Sequence, residues 1–181
     1  LVRQRFDHIF FTGGGRIGAK VLEGAAANLT PVTLELGGKN PAIVLPDADL
    51  SVTARRRVWG KGFNAGQACI APDHLLVQAD IREPLLQAIA EERLKLYGSN
   101  PLESESLGSL IHDRHYGRLE ALLKKAKDEG RVLLGGESDP IRLRIAPTLI
   151  DVQNEQDPLM ADELFGPLLP VLEIADLNDA I

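Results

Sequence analysis

The chain has 181 residues, 44% hydrophobic and 25% charged, which provides one domain with a sizeable core and excludes disordered and fibrous classes. Its formal charge of −6 gives no electrostatic reason to bind nucleic acid or an anionic membrane surface. No apolar run approaches the ~18 residues that span a bilayer, and a single cysteine excludes an internal disulfide.

Aromatic residues make up only 4%, so the core must rest on Leu, Val, Ile and Ala. The lone thiol suits a reducing, cytoplasmic setting. The chain opens on Leu1 rather than Met and closes at Ile181 just as a helical pattern begins. It is therefore expected to be a piece of a longer protein.

The apolar run at residues 8–12 reads as a buried strand. Three glycines follow, and residues 17–29, rich in Ala and Leu, predict a helix that Pro31 ends. Residues 32–36 and 42–45 predict two further strands around the turn-rich Gly37-Gly38-Lys39-Asn40-Pro41. Asp47 or Asp49 caps the next helix. That helix sets Leu50, Ala54, Val58 and Gly62 on one face, Trp59 and Phe63 beside them, and Arg55, Arg56 and Arg57 on a solvated side. Gly66 breaks the pattern just before Cys69.

A strand at 75–77 leads to a helix opened by Pro84, with an apolar stripe of Leu85, Leu86, Ile89, Ala90 and Leu94 and a stop at Gly98. A third long helix is predicted from about residue 113 to 129, ended by Gly130, with short strands at 132–134, 146–150 and 168–174. Strands and helices alternate, which predicts an α/β class with a mostly parallel sheet flanked by helices. The glycines around residues 35–39 mark the expected domain seam.

Gly13-Gly14-Gly15-Arg16-Ile17-Gly18 matches G-x-G-x-x-G between a strand and a helix. Glycines let the backbone approach a pyrophosphate, and the helix N-terminus offers free N–H groups. The motif alone leaves two readings open: a nucleotide site with Glu35 on a ribose hydroxyl, or a tight turn without a ligand. Cys69 follows Gly66 at a helix end. A loop thiol near backbone donors is a candidate nucleophile, whereas a lone cysteine elsewhere is usually a small buried hydrophobe. His112 and His115 stand at i, i+3 with no further ligand at a convincing spacing, so no metal site is expected.

Four segments in order, Phe11-Thr12-Gly13 with Gly18, Leu34-Glu35-Leu36-Gly37-Gly38-Lys39-Asn40-Pro41, Gly66-Gln67-Ala68-Cys69 and Glu163-Leu164-Phe165-Gly166-Pro167, resemble the motifs of the aldehyde dehydrogenase superfamily. Trp59-Gly60-Lys61 and Ala71-Pro72-Asp73 resemble most its class-three branch, which handles medium and long aliphatic or aromatic aldehydes. The resemblance covers nearly the whole chain. It implies a three-layer α/β fold, with residues 1–35 the C-terminal remnant of an NAD(P)-binding domain and 36–181 a catalytic domain truncated at its end.

It also implies a reaction and a set of roles. Cys69 would attack an aldehyde, and Glu35 would activate the water that hydrolyses the resulting thioester. Gly13 and Gly14 would lie beside the pyrophosphate of NAD or NADP. Leu36 would offer a carbonyl near the nicotinamide, Glu163 would bind the nicotinamide ribose, and Phe165 would pack against that end. The parent is expected to be a homo-oligomer, dimer or tetramer, and these 181 residues alone nearly inactive. Gly14 and Ala68 depart from the Ser and Thr common at those places, which leaves any phosphate contact at Gly14 to the backbone. Acyl-CoA- or acyl-phosphate-linked relatives and a non-catalytic dehydrogenase-like domain are the alternatives. An intact Glu35 argues for hydrolysis, hence for acid as product.

Overall fold

Short β-branched and aromatic strands, closed by glycine turns, start the chain. A computed structural model describes residues 1–181, which form two units, Leu1–Gly38 and Lys39–Ile181. In the first unit, β1 (Ile9–Gly13) runs into α1 (Gly15–Ala26) and returns as β2 (Val32–Leu36). The two strands pair in parallel, from Ile9 opposite Val32 to Gly13 opposite Leu36. Gly18 allows the helix to close on β2: a Cβ there would lie 3.1 Å from the Leu36 side chain and 3.3 Å from that of Leu34.

The first helix ends at Ala26, three residues before the predicted boundary. Leu29 turns left-handed at φ 53°. Its amide returns to the Ala26 carbonyl at 3.1 Å and that of Thr30 to Ala25 at 3.3 Å, so a Schellman turn ends the helix before Pro31 is reached.

The second unit contains β3 (Pro41–Val44), α2 (Leu50–Gly62), β4 (His74–Gln78), α3 (Ala79–Tyr97), α4 (Asp113–Asp128) and β5 (Val132–Leu134). A small antiparallel hairpin follows, β6 (Ser138–Asp139) with β7 (Arg144–Ile145). The chain then forms β8 (Thr148–Val152), α5 (Pro158–Ala161) and β9 (Leu168–Ile174). The main sheet has the order β3-β4-β9-β8-β5. All neighbours are parallel except β5 and β8.

Strand alternation sends successive side chains to opposite faces, and each face is covered. Leu75 and Val77 of β4 and Leu169 and Val171 of β9 share a core with Ala54 and Val58 of α2 and Leu85 and Ile89 of α3. Ile150 and Val152 of β8 and Leu168 of β9 pack on the other side with Tyr116, Leu119, Leu123 and Ala126 of α4. The result is the α/β class expected from the alternating pattern, in the three-layer arrangement that the resemblance implies.

Local chemistry sets the helix ends. Asp49, not Asp47, caps α2, its carboxylate accepting from the Val52 amide at 3.0 Å. Gly130 at φ 70° ends α4 as expected, with the Arg131 amide returning to Ala126 at 2.8 Å. Helix α3 departs from expectation, starting at Ala79 with Pro84 inside it. Leu94 is 57% exposed, and Tyr97 takes the buried place. No helix is long and apolar enough to cross a membrane.

Candidate active site

In the first unit the candidate residues lie at the C-terminal ends of the parallel pair. The register sets Thr12 opposite Glu35 and Gly13 opposite Leu36. Glu35 and Gly14 are exposed, Gly13 and Leu36 half-buried. Gly14 is the N-cap of α1 and offers no side-chain cap, and the first turn contains no acidic residue. The amides of Ile17 and Gly18 return to the Gly14 carbonyl at 2.9 and 3.0 Å, while those of Gly15 and Arg16 precede any helical carbonyl they could reach. A Cβ on Gly14 or on Gly15 would meet nothing within 4 Å, so the backbone here faces open space.

In the second unit Cys69 is half-buried and a free thiol. The turn before it is unusual. Asn64, Ala65 and Gly66 all take left-handed conformations, with φ of 49°, 54° and 77°, a region that costs a non-glycine residue about 1–2 kcal/mol. Side-chain hydrogen bonds hold the turn. Asn64 Nδ2 donates to the Gln67 carbonyl at 3.1 Å, and Gln67 Nε2 donates to the carbonyls of Asn64 at 3.0 Å and Ser109 at 3.1 Å. Gln67 Oε1 accepts from the Ile111 amide at 2.9 Å.

The turn's own backbone bonds, Gln67 to Asn64 at 3.1 Å and Ala71 to Ala68 at 3.0 Å, pass over the Cys69 amide, which is thereby left as a donor. The Cys69 carbonyl accepts from Asn40 Nδ2 at 2.6 Å, and the same amide group reaches Ala71 O at 3.1 Å.

The structure brings the Cys69 turn against the loop at residues 163–167. A Cβ on Gly66 would lie 2.2 Å from the Gly166 carbonyl oxygen, and one on Gly166 would lie 2.3 Å from a methyl of Leu119. At Gly66 the obstacle is backbone and only glycine fits, whereas at Gly166 the Leu119 side chain would have to shift. Glu163 and Phe165 of this loop are half-buried, and Phe165 is left-handed at φ 50°.

A buried charge cluster beneath the two loops has no counterpart in the sequence reading. Asp73 accepts from the Leu164 amide at 2.9 Å through Oδ1 and from Lys39 Nζ through Oδ2. Lys39 also donates to the carbonyls of Leu159 at 2.6 Å and Asp162 at 3.0 Å. Lys61 lies 3.9 Å from Asp73, with its side chain 5% exposed, and its ammonium has no hydrogen-bond acceptor.

Burial pushes the Lys61 pKa down to about 8; Asp73 and Glu163 hold it up while Lys39 lowers it. Burial likewise lowers the pKa of His74, with Lys39 adding to the effect and Asp73 opposing it. Sequence offered one signal for this cluster: Lys61 falls on the apolar stripe of α2, seven residues after Ala54, where an aliphatic side chain belongs. His115, considered above only as a metal ligand, instead reaches the Phe165 carbonyl with Nε2 at 2.7 Å.

The chain matches the family described as the aldehyde dehydrogenase family over residues 1–181. It is 47% identical over 182 residues to human aldehyde dehydrogenase family 3 member B1, covering 100% of this chain and 38% of that protein. The substrate-bound AldH of Staphylococcus aureus superposes with a TM-score of 0.95 at 38% identity, covering 99% of this chain and 39% of the other. Betaine aldehyde dehydrogenase of the same organism, solved in complex with NAD+, gives a TM-score of 0.82 at 32% identity over 96% and 36% of the two chains. The chain thus spans well under half the length of the relatives it matches. On this likeness along every residue, the chain belongs to the aldehyde dehydrogenase family.

Proposed function

We propose that the protein oxidises an aldehyde to a carboxylic acid with NAD or NADP, using Cys69 as nucleophile and Glu35 as general base. The observation that carries this reading is the strained, glycine-pinched turn that presents Cys69, packed on the 163–167 loop through Gly66 and Gly166. Strain of this kind persists where the surroundings over-determine it, and it clusters at functional sites. The family membership of the whole chain supports the same assignment.

Within this proposal the Cys69 sulfur, as thiolate, forms a bond to the aldehyde carbon. The carbonyl oxygen becomes an oxyanion, and the Cys69 amide, unused by the turn's backbone bonds, stabilises it. After hydride has left that carbon, Cys69 holds a thioester. Glu35, exposed at the end of β2, takes a proton from water as its oxygen bonds to the thioester carbon and the thiolate departs.

The residues present fit a nicotinamide dinucleotide. Gly13 and Gly14, with the uncapped start of α1 and the open space beside it, suit a pyrophosphate. Glu163 and Phe165 would hold the nicotinamide ribose end, and Leu36 would offer its carbonyl to the amide. The bound nicotinamide supplies the hydride acceptor. In this reading residues 1–35 close a cofactor domain and residues 36–181 belong to the catalytic domain.

The test is acyl-enzyme trapping in the full-length protein. Glu35→Gln, given aldehyde and cofactor, is expected to accumulate the acyl group on the Cys69 peptide, seen by mass spectrometry. Wild type should release acid, and Cys69→Ala should acquire nothing. Acylation elsewhere, or an equal adduct in Cys69→Ala, would overturn the reading.

A further inference from the structure

The 163–167 loop is held in a conformation its own sequence disfavours: Asp73 holds the Leu164 amide, and α4 holds the carbonyls. Phe165 is left-handed at φ 50°, a state unfavourable for an aromatic residue that requires outside support. Two α4 side chains, at i and i+3 on one helix face, reach successive carbonyls of this turn. Arg118 Nη2 donates to Leu164 O, and His115 Nε2 donates to Phe165 O at 2.7 Å. A carbonyl only accepts, so Nε2 carries the proton. Burial lowers the His115 pKa, which favours the neutral ring with that single N–H as donor. The rings of His115 and Phe165 lie 6.2 Å apart and tilted. Leu119, next on the same helix, lies under Gly166.

We infer that His115 and Arg118 are positioning residues that lock the left-handed turn at Phe165 and so present Glu163 and Phe165 to the cofactor. This rests on the proposed cofactor role of those two residues. Neither α4 side chain takes part in the chemistry; both act through the loop.

The test uses the full-length protein and five variants. His115→Leu and Arg118→Leu remove the donors. His115→Gln and Arg118→Lys keep an N–H in reach. Glu163→Gln probes the cofactor reading itself. Amide exchange of the peptide covering residues 159–167, followed by mass spectrometry without cofactor, reads the clamp. Affinity and KM for NAD+ or NADP+, whichever wild type prefers, read its consequence.

Both Leu variants are expected to exchange faster in this peptide and to weaken cofactor binding on the order of tenfold, the loss of about one hydrogen bond. The increase should fall on the cofactor KM with kcat within about twofold, and the conservative variants should restore both readouts. Unchanged exchange in the Leu variants overturns the clamp. Unchanged cofactor affinity in the Leu variants, with Glu163→Gln weakened, overturns the positioning role. Unchanged affinity in Glu163→Gln removes the cofactor reading, and the positioning role with it.

Discussion

The amide of Leu164 donates to Oδ1 of the buried Asp73 at 2.9 Å, across 91 residues of chain. The other oxygen of that carboxylate takes Lys39, and Lys61 stands 3.9 Å away. One carboxylate therefore balances two ammonium groups and ties the 163–167 loop to the strand end that follows Cys69. Asp73→Asn keeps an acceptor for Leu164 but deprives the buried Lys61 of its main counter-charge, leaving only the smaller effect of Glu163. Removing one partner of a buried pair typically costs about 3–5 kcal/mol. Lys39 is partly exposed and can rehydrate, so a loss of about 2–4 kcal/mol is expected in urea unfolding. A loss below about 1 kcal/mol would show that the cluster contributes little.

Lys61 makes stability depend on pH in an unusual direction. Its folded pKa, about 8, lies below the ordinary 10.5. Below pH 8 both folded and unfolded chains hold the proton, and the fold carries the whole cost of the buried ammonium. Between about 8 and 10.5 the unfolded chain binds more protons than the folded one, so stability rises with pH. The rise attributable to Lys61 reaches about 3 kcal/mol at most. Tyr97 and Tyr116, both pushed up by burial from 10.0, oppose it only above that pH. Denaturation curves of wild type and Lys61→Met between pH 7 and 10 check this. The stability difference should shift toward wild type as pH rises, and a constant difference would contradict the assigned burial.

Gly66→Ala tests the pinch between the two loops. The residue sits at φ 77°, and an added Cβ would meet the Gly166 carbonyl oxygen at 2.2 Å and its carbon at 2.5 Å. Both obstacles are backbone and cannot swing away. The strained φ alone costs about 1 kcal/mol or more, and the overlap adds about 1–3 kcal/mol, the range for overpacking. Expected are a clear drop in melting temperature and an altered alkylation rate at Cys69, because the turn that presents it must move. Gly14→Ala, with nothing within 4 Å of its Cβ, is the contrasting substitution and should leave stability nearly unchanged.

The fold was legible wherever the signal was local. The strand Val32–Leu36 and the long strand Leu168–Ile174 match their predicted bounds because short apolar runs between turn residues have few other uses. Helix α3 starts five residues before Pro84, although Pro84 suits a first helical position. Here the helix accepts it in the interior, forgoing the bond its missing N–H would make to the Asp80 carbonyl. The stripe then ends on Tyr97 rather than Leu94 because the Tyr97 hydroxyl fits against Gly62, where a Cβ would lie 1.8 Å from it. A hairpin of two-residue strands, β6 with β7, carries no period to read. Cys69 and Glu163 stand out through their motifs; Asp73 lies within a motif that gives it no role, and the loop contacts of Arg118 and His115 have no local signal. Their partners are 91, 46 and 50 residues distant, and only the folded chain brings them together.

Asn40 offers the most direct probe of how the Cys69 thiol is aimed. Its amide nitrogen donates at 2.6 Å to the Cys69 carbonyl and at 3.1 Å to that of Ala71. Its own backbone carbonyl accepts from the Asp73 amide at 2.8 Å. The side chain thus binds both ends of the segment containing the thiol, while the backbone anchors β3 to the start of β4. Asn40→Ala removes the two side-chain bonds and leaves two carbonyls short of a donor, for a cost of about 1–3 kcal/mol. Asn40→Asp should cost more, because a carboxylate would face both carbonyl oxygens with no proton to offer. The two variants separate aiming from stability. If Asn40 aims the thiol, both should slow acylation of Cys69 in the full-length protein, the Asp variant more. Acylation as fast as in wild type, alongside a lowered melting temperature, would make Asn40 a structural residue only.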